Sequence, residues 1–256
     1  LGMRAALSGD WETGVSLSQE AVERLHAVDD LVTESSALVN LAFGYGYRDG
    51  WRAGEPYVRR GLDLALSSGA RAAEAFARAA LGQIALPCGR YGLARREAEA
   101  ALGIARAIGH REWTAMALSM LGRMRMGLGD GAGALRLHQE MREIAEILGT
   151  NIWRSEAHNN LGEDLIALGR FEEADSLLTS SVVEAGGLSF YVVQTLRIHA
   201  GLHLQRGDAS AALAMARDAT TRAPWMRVFT GDARRVEAEA LAVLEGPAAG
   251  LTVLAE

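Results

Sequence analysis

The stretch Asn160-Leu161-Gly162-Glu163-Asp164-Leu165-Ile166-Ala167-Leu168-Gly169-Arg170-Phe171-Glu172-Glu173-Ala174 decides the fold. Its Leu-Gly or Leu-Ala pair recurs every 40 residues, at Leu1-Gly2, Leu41-Ala42, Leu81-Gly82, Leu121-Gly122 and Leu161-Gly162. A turn follows each pair, in Gly9-Asp10-Trp11, Asp49-Gly50-Trp51, Gly89-Arg90-Tyr91, Gly129-Asp130-Gly131 and Gly169-Arg170-Phe171. Three residues further on stands a small side chain: Gly14, Gly54, Ala94, Ala134 or Ala174. A second break keeps the same period, with Ala65 before Gly69, Ala105 before Gly109 and Ala145 before Gly149. The phase slips at Gly207-Asp208-Ala209 and again at Gly246. Self-similarity at such a period is the mark of a repeat architecture.

Between the breaks the pattern is helical. Trp113 to Leu128 and Ser155 to Leu168 carry apolar residues at three- and four-residue spacing with few β-branched side chains. A glycine ahead of a polar residue ends each first helix, because the left-handed conformation needed there costs glycine nothing. Each unit is therefore expected to be two helices of roughly 15 residues, each about 22 Å long. A lone helix pair cannot bury its apolar faces, so the units must stack. The small residue after the turn lets the second helix approach the first.

Asn160-Leu161-Gly162, Leu165 and Gly169-Arg170-Phe171-Glu172-Glu173-Ala174 resemble the tetratricopeptide repeat. The unit is longer than the usual repeat by about six residues. HEAT repeats have a similar length, but the Leu-Gly pair and the Gly-x-aromatic-x-x-Ala turn favour the tetratricopeptide assignment. Such long units resemble the sensor regions of bacterial signalling ATPases and LuxR-type transcription regulators. The fold class is then all-α: a right-handed α-solenoid of about six antiparallel helix pairs forming a single domain. The repeats are expected near 1–32, 33–72, 73–112, 113–152, 153–190 and 191–230, with a partial unit at 231–256. The last two depart from the pattern, with His199 or Ala200 in place of the leucine and Ala238-Glu239 in place of Leu-Gly. Leu1 and Glu256 fall inside helices, so the chain reads as a module excised from a longer polypeptide with an output domain.

Composition removes other classes. The 26 basic residues are all arginine, which excludes a Walker A phosphate loop, a Schiff-base lysine and a Ser-Lys dyad. Arginine in place of lysine fits a GC-rich bacterial source. A single cysteine, Cys88, leaves no disulfide framework and no multi-cysteine metal site. The net charge of −6 gives no global pull toward nucleic acid. No signal or membrane-spanning segment is visible, so a cytoplasmic location is expected.

Chemical motifs yield to plainer readings. His199-x-x-x-His203 has zinc-compatible spacing but no third ligand in view, and both positions suit packing histidines. Gly127-x-Gly129-x-Gly131-x-Gly133 stands where the repeat demands a helix–helix turn. Cys88 lies at another turn and reads as an inert thiol. Carboxylate pairs such as Glu163-Asp164, and arginine pairs such as Arg95-Arg96, read as solvated helix faces. No enzyme, metal or cofactor is expected.

The resemblance implies that first helices line a concave groove. On that register Phe43, Tyr47, Phe76 and Gln83 come from two successive first helices. Met116, Ser119, Arg123 and Met126 follow from the third, Asn159 and Glu163 from the fourth, Gln194 and Arg197 from the fifth. Apolar walls with a few polar groups suit a ligand site. Trp113, Trp153 and Tyr191 precede their first helices and are expected either to rim the groove or to seal repeat joints, sealing being the plainer role. The expected function is a non-enzymatic module binding a peptide, protein or small effector in this groove, as part of a bacterial transcription regulator. A self-association scaffold, with a homodimer as partner, and an intracellular receptor for a signalling peptide are the alternatives.

Overall fold

A computed structural model of the chain describes residues 2–255; Leu1 and Glu256, at which truncated ends are expected, lie outside it. Among the described residues there are helices and no strand. They form seven antiparallel pairs: α1 (Gly2–Leu7) with α2 (Trp11–Ala27), α3 (Leu31–Asp49) with α4 (Trp51–Ser67), and α5 (Arg71–Ala85) with α6 (Tyr91–Ala107). Next come α7 (Arg111–Gly127) with α8 (Gly131–Leu148), and α9 (Asn151–Ala167) with α10 (Phe171–Glu184). The series ends with α11 (Ser189–Gln205) and α12 (Ala209–Arg222), then α13 (Arg227–Leu244) and α14 (Pro247–Ala255). None is long and apolar enough to cross a membrane.

First helices start two to four residues ahead of the expected boundaries, because caps fix their starts. The Asp30 and Thr150 side chains accept from the backbone N–H groups of Thr33 and Trp153, and His110 accepts from that of Trp113. Turns follow the expected chemistry. Gly169 sits at φ 72° while Arg170 N–H donates to the Leu165 carbonyl at 2.8 Å, closing α9 in a Schellman-type turn. The glycine run 127–133 is such a turn, with Gly129 at φ 81° and Asp130 capping α8 through Gly133.

Burial separates the two helices of a unit. α7 buries every residue from Thr114 to Gly122, whereas α6 buries only the stripe Ala94, Ala98, Ala101, Ile104 and Ala105. First helices are therefore the inner layer, covered by second helices whose outer faces meet solvent.

What lets the layers close is missing volume where the paired helices cross. A Cβ built on Gly54 would fall well inside contact distance of the Ala42 carbonyl oxygen, and one on Gly14 would lie 3.0 Å from the Gly2 carbonyl oxygen. Gly250 stands in the same relation to Ala238. On the other partner, a Cβ on Gly162 would meet Leu178 Cδ2 at 2.6 Å, and one on Gly122 would collide with the His138 ring. The register of the late repeats follows. Ala238 itself occupies the Leu-Gly glycine position, so the expected alignment of Ala238-Glu239 with Leu-Gly is off by one residue. Ala200 packs with Ala212 in the same way, both fully buried, so His199 takes the leucine position.

Polar ties link successive units. Arg90 donates through both Nη atoms to Glu55, at 2.8 and 2.7 Å, joining the start of α6 to α4. The buried His138 of α8 engages Asp164 of α9 through Nδ1 at 2.6 Å and the Ser119 carbonyl of α7 through Nε2 at 3.2 Å.

The stack then meets itself. α1 contacts α11 and α3 contacts α13, so five units complete one superhelical turn. Trp11 stacks on Trp225 with centroids 5.0 Å apart, and Ser189 Oγ donates to the Ser8 carbonyl at 3.2 Å. Leu7 shares an apolar cluster with Phe190, Tyr191 and Met226.

Two expected outcomes follow from this packing. Gly54→Ala should destabilise the chain by roughly 1–3 kcal/mol, whereas Gly103→Ala, with nothing within 4 Å of its Cβ, should stabilise it by roughly 0.5–1 kcal/mol; urea unfolding of both variants checks the contrast. Second, the guanidinium of Arg90 beside Glu55 holds that carboxyl down at about 2, against an ordinary 4.5. A depressed acid contributes stability that is full above its unfolded value and lost as pH falls toward the folded one. Glu55→Gln should therefore flatten the fall in Tm between about pH 4.5 and 2, measured by a thermal melt series.

Candidate functional site

Closure of the superhelix converts the expected groove into a central cavity with three adjoining chambers. The first, about 350 Å³, takes Phe43, Tyr47, Phe76, Gln83, Met116 and Ser119 from the expected set. The second, about 30 Å³, takes Arg123, Asn159, Glu163, Gln194 and Arg197 and shares Tyr47, Gln83 and Glu156 with the first. Met126 lines a third, of about 310 Å³, which shares Arg123 and Glu163 with the second. All twelve residues thus line one or more of three neighbouring pockets, and each stands on a first helix.

The chambers differ in chemistry. Tyr47 divides them, its ring centroid 4.8 Å from Trp51, 4.8 Å from Phe190 and 5.5 Å from Phe229. Burial holds its phenol well above the usual tyrosine range, so it stays a neutral hydroxyl, accepting from Gln83 Nε2 at 3.2 Å. On the polar side most groups satisfy one another. Arg197 donates to Glu163 at 2.6 Å and to Asp232 at 2.7 Å. Thr195 donates to Asn159 Oδ1 at 2.7 Å, and Asn159 Nδ2 donates to Gln194 at 3.2 Å. These interlocked groups set the shape of the second chamber and hold successive first helices together.

The first chamber is aromatic. Trp113 stacks on Phe76 of the preceding unit at 4.1 Å, and Trp153 donates its indole N–H to Glu112 at 3.4 Å. Trp113 and Trp153 therefore do both things considered for them, bounding the first chamber and bridging adjacent repeats, while Tyr191 bounds the chamber. Trp11, Phe190 and Trp225 complete the wall and were not found by sequence reasoning. Trp11 stands on a second helix and Trp225 in a turn; only the meeting of the ends brings them inward. Glu156 reaches both chambers and accepts from Ser119 Oγ at 3.4 Å. Burial pushes its carboxyl up, opposed by Arg123. Arg123 is not among the groups that pair with it directly.

The histidine pair gains a neighbour that the spacing did not reveal. Asp175 of α10 lies beside His199 and His203, with one ligand atom of each within 4.8 Å of the others. His199 Nε2 sits 2.5 Å from Asp175 Oδ1, and Arg206 donates to Oδ2 at 2.8 Å. The carboxylate is thus neutralised within the protein, which accounts for the cluster as an ion-paired joint between α10 and α11. Cys88 is a free, partly exposed thiol in the turn after α5.

Residues 113–182 match the family model for the tetratricopeptide repeat. Curated protein sequences give no match. Among solved structures, a Rap protein complexed with competence and sporulation factor is 18% identical, with a TM-score of 0.77 over 99% of this chain and 71% of that one. The structure of NprR in complex with its cognate peptide NprX is 13% identical, with a TM-score of 0.72, over 95% and 73% of the two chains. A signal-transduction ATPase with a tetratricopeptide repeat sensor, from Pyrococcus horikoshii, is 15% identical, with a TM-score of 0.54, over 96% of this chain and 38% of that one. At such identities the likeness is one of fold. Residues 113–182 thus match the tetratricopeptide repeat, and the helix pairs on either side continue the same helical solenoid.

Proposed function

We propose that the chain is a non-catalytic recognition module whose central cavity holds a compact small effector. The observation that carries this reading is the closure of the superhelix. Here α1 and α3 lie against α11 and α13, so the first and last units share the wall of one chamber of bounded volume. The first chamber, at about 350 Å³, falls within the ~300–1,000 Å³ of small-molecule sites. Its wall is drawn from the first and last units alike, including Trp11 and Trp225. An occupant therefore contacts both ends at once and favours the closed state. Occupancy would shift the population of closed and opened solenoids, and an attached output domain of a bacterial regulator would read that shift.

A second reading, a peptide receptor, is favoured by the peptide NprX in the NprR complex; a linear peptide too long for the first chamber would need room past the seam. Trp225→Ala separates the two, because it removes the Trp11 stacking partner. For a small effector found by thermal-shift screening, affinity should fall at least tenfold in this variant and in Tyr47→Ala. An effector or peptide whose affinity rises when the seam is loosened would overturn the closed-cavity reading in favour of the peptide receptor.

A further inference from the structure

The first chamber has an unusual charge pattern for an apolar cavity. Four of the five tryptophans in the chain, Trp11, Trp113, Trp153 and Trp225, border it. So do two carboxylates, Glu112 and Glu156, and, among the described residues, no arginine or histidine. Arg123 belongs to the second and third chambers, and Arg48 lies over the Trp11 ring, 5.8 Å from its centroid, without bordering the space. Among the described residues neither carboxylate is ion-paired with a guanidinium, although Arg123 acts on Glu156 through space. Glu112 accepts the Trp153 indole N–H, and Glu156 accepts the Ser119 hydroxyl, both at 3.4 Å.

Such a wall selects for one sign of charge. Indole faces attract cations, but Trp113 already has Phe76 and His110 stacked on it, at 4.1 and 5.0 Å. Trp11 likewise has Trp225 stacked on it and Arg48 over it, so the carboxylates carry most of the selection. Two carboxylates in the same low-dielectric space add a longer-range attraction, while an anion there would meet repulsion from both. A neutral apolar molecule would fill the space but leave the acid groups with only their weak internal hydrogen bonds. One group calls for an acceptor on the occupant: the buried Trp11 Nε1–H has no partner.

We propose that the first chamber binds a small organic cation, an amine or quaternary ammonium with an apolar body and one hydrogen-bond acceptor, held by Glu112 and Glu156 within the aromatic wall. The assignment rests on the reading of the cavity as an effector site and names the effector's chemical class. The positive group sits on the Glu112–Glu156 side. The apolar body lies toward Phe43 and Phe76, whose rings are 6.2 Å apart, and the acceptor meets Trp11.

Quenching of tryptophan fluorescence tests it, since most of the indoles line the chamber. The probes are choline, benzyltrimethylammonium and 3,3-dimethylbutan-1-ol, the last of which replaces choline's charged nitrogen with carbon. Choline should bind at least tenfold more tightly than its uncharged counterpart. Glu156→Gln should cut that preference severalfold, and Glu112→Gln with Glu156→Gln should abolish it without weakening the alcohol. Met116→Trp, or Phe43→Trp if the former does not fold, should fill the chamber and remove binding of all three. Equal affinity for choline and the alcohol, or no binding of either cation, would overturn the cation assignment and leave the effector cavity standing. A cation preference that survives in the filled chamber would place binding elsewhere and overturn both readings together.

Discussion

Everything above the level of the single helix depends on how closely paired helices approach at one crossing. Gly54 lies so near the Ala42 carbonyl that no side chain fits between them, and Gly14 and Gly250 repeat that relation at the two ends. Where the second helix supplies a larger group, as Leu178 or His138 does, the first helix answers with Gly162 or Gly122. A missing side chain at the crossing, or a facing pair of alanines as at Ala200 and Ala212, sets the separation of the two layers. With the layers that close, the inner helices are buried on nearly all sides and the outer ones on a single stripe, and hydrophobic burial does the remainder. Because the same crossing recurs, its geometry accumulates, and after five units the stack meets its own beginning.

That accumulation explains which parts of the molecule could be read from the sequence. Periodicity is a local property, so the forty-residue spacing was enough to give the helix pairs, the turns and the inner faces. All twelve groove positions border the cavity because each sits at a fixed offset from its Leu-Gly pair. Closure is a sum over the whole chain and leaves no mark at any one site. Trp11 and Trp225 consequently carried no groove signature, though they form a wall of the chamber, whereas Phe190 stands on a first helix at the repeat position of Glu112 and Ile152. Asp175 was hidden for a similar reason: it stands on an outer helix and reaches the histidines only across the α10–α11 joint. The misplaced register at Ala238 arose where the small residue of the crossing is alanine rather than glycine, which blurs the alignment without changing the packing.

Closure also changes what the inner surface can do. An open trough offers its polar and apolar residues to solvent and to extended partners. Here Tyr47, wedged against Phe190 and Phe229 of later units, divides the interior into an aromatic chamber and a polar one whose groups are largely spent on one another. The polar chamber holds successive first helices in place. The aromatic chamber, spanning the seam between first and last units, is where an occupant would be felt by the solenoid as a whole. Burial, charge and the geometry of the seam thus point to the same volume from independent directions.

The central claim is that the two ends meet in solution and enclose that volume. Double electron–electron resonance between nitroxides at Thr13→Cys and Thr221→Cys, both exposed positions near the seam, in a Cys88→Ser chain, measures this directly. One narrow distribution at the short separation of the closed ring is the expected result, unchanged or narrowed when the cavity is occupied. A broad or long distribution, with the ends apart in free solution, would contradict it.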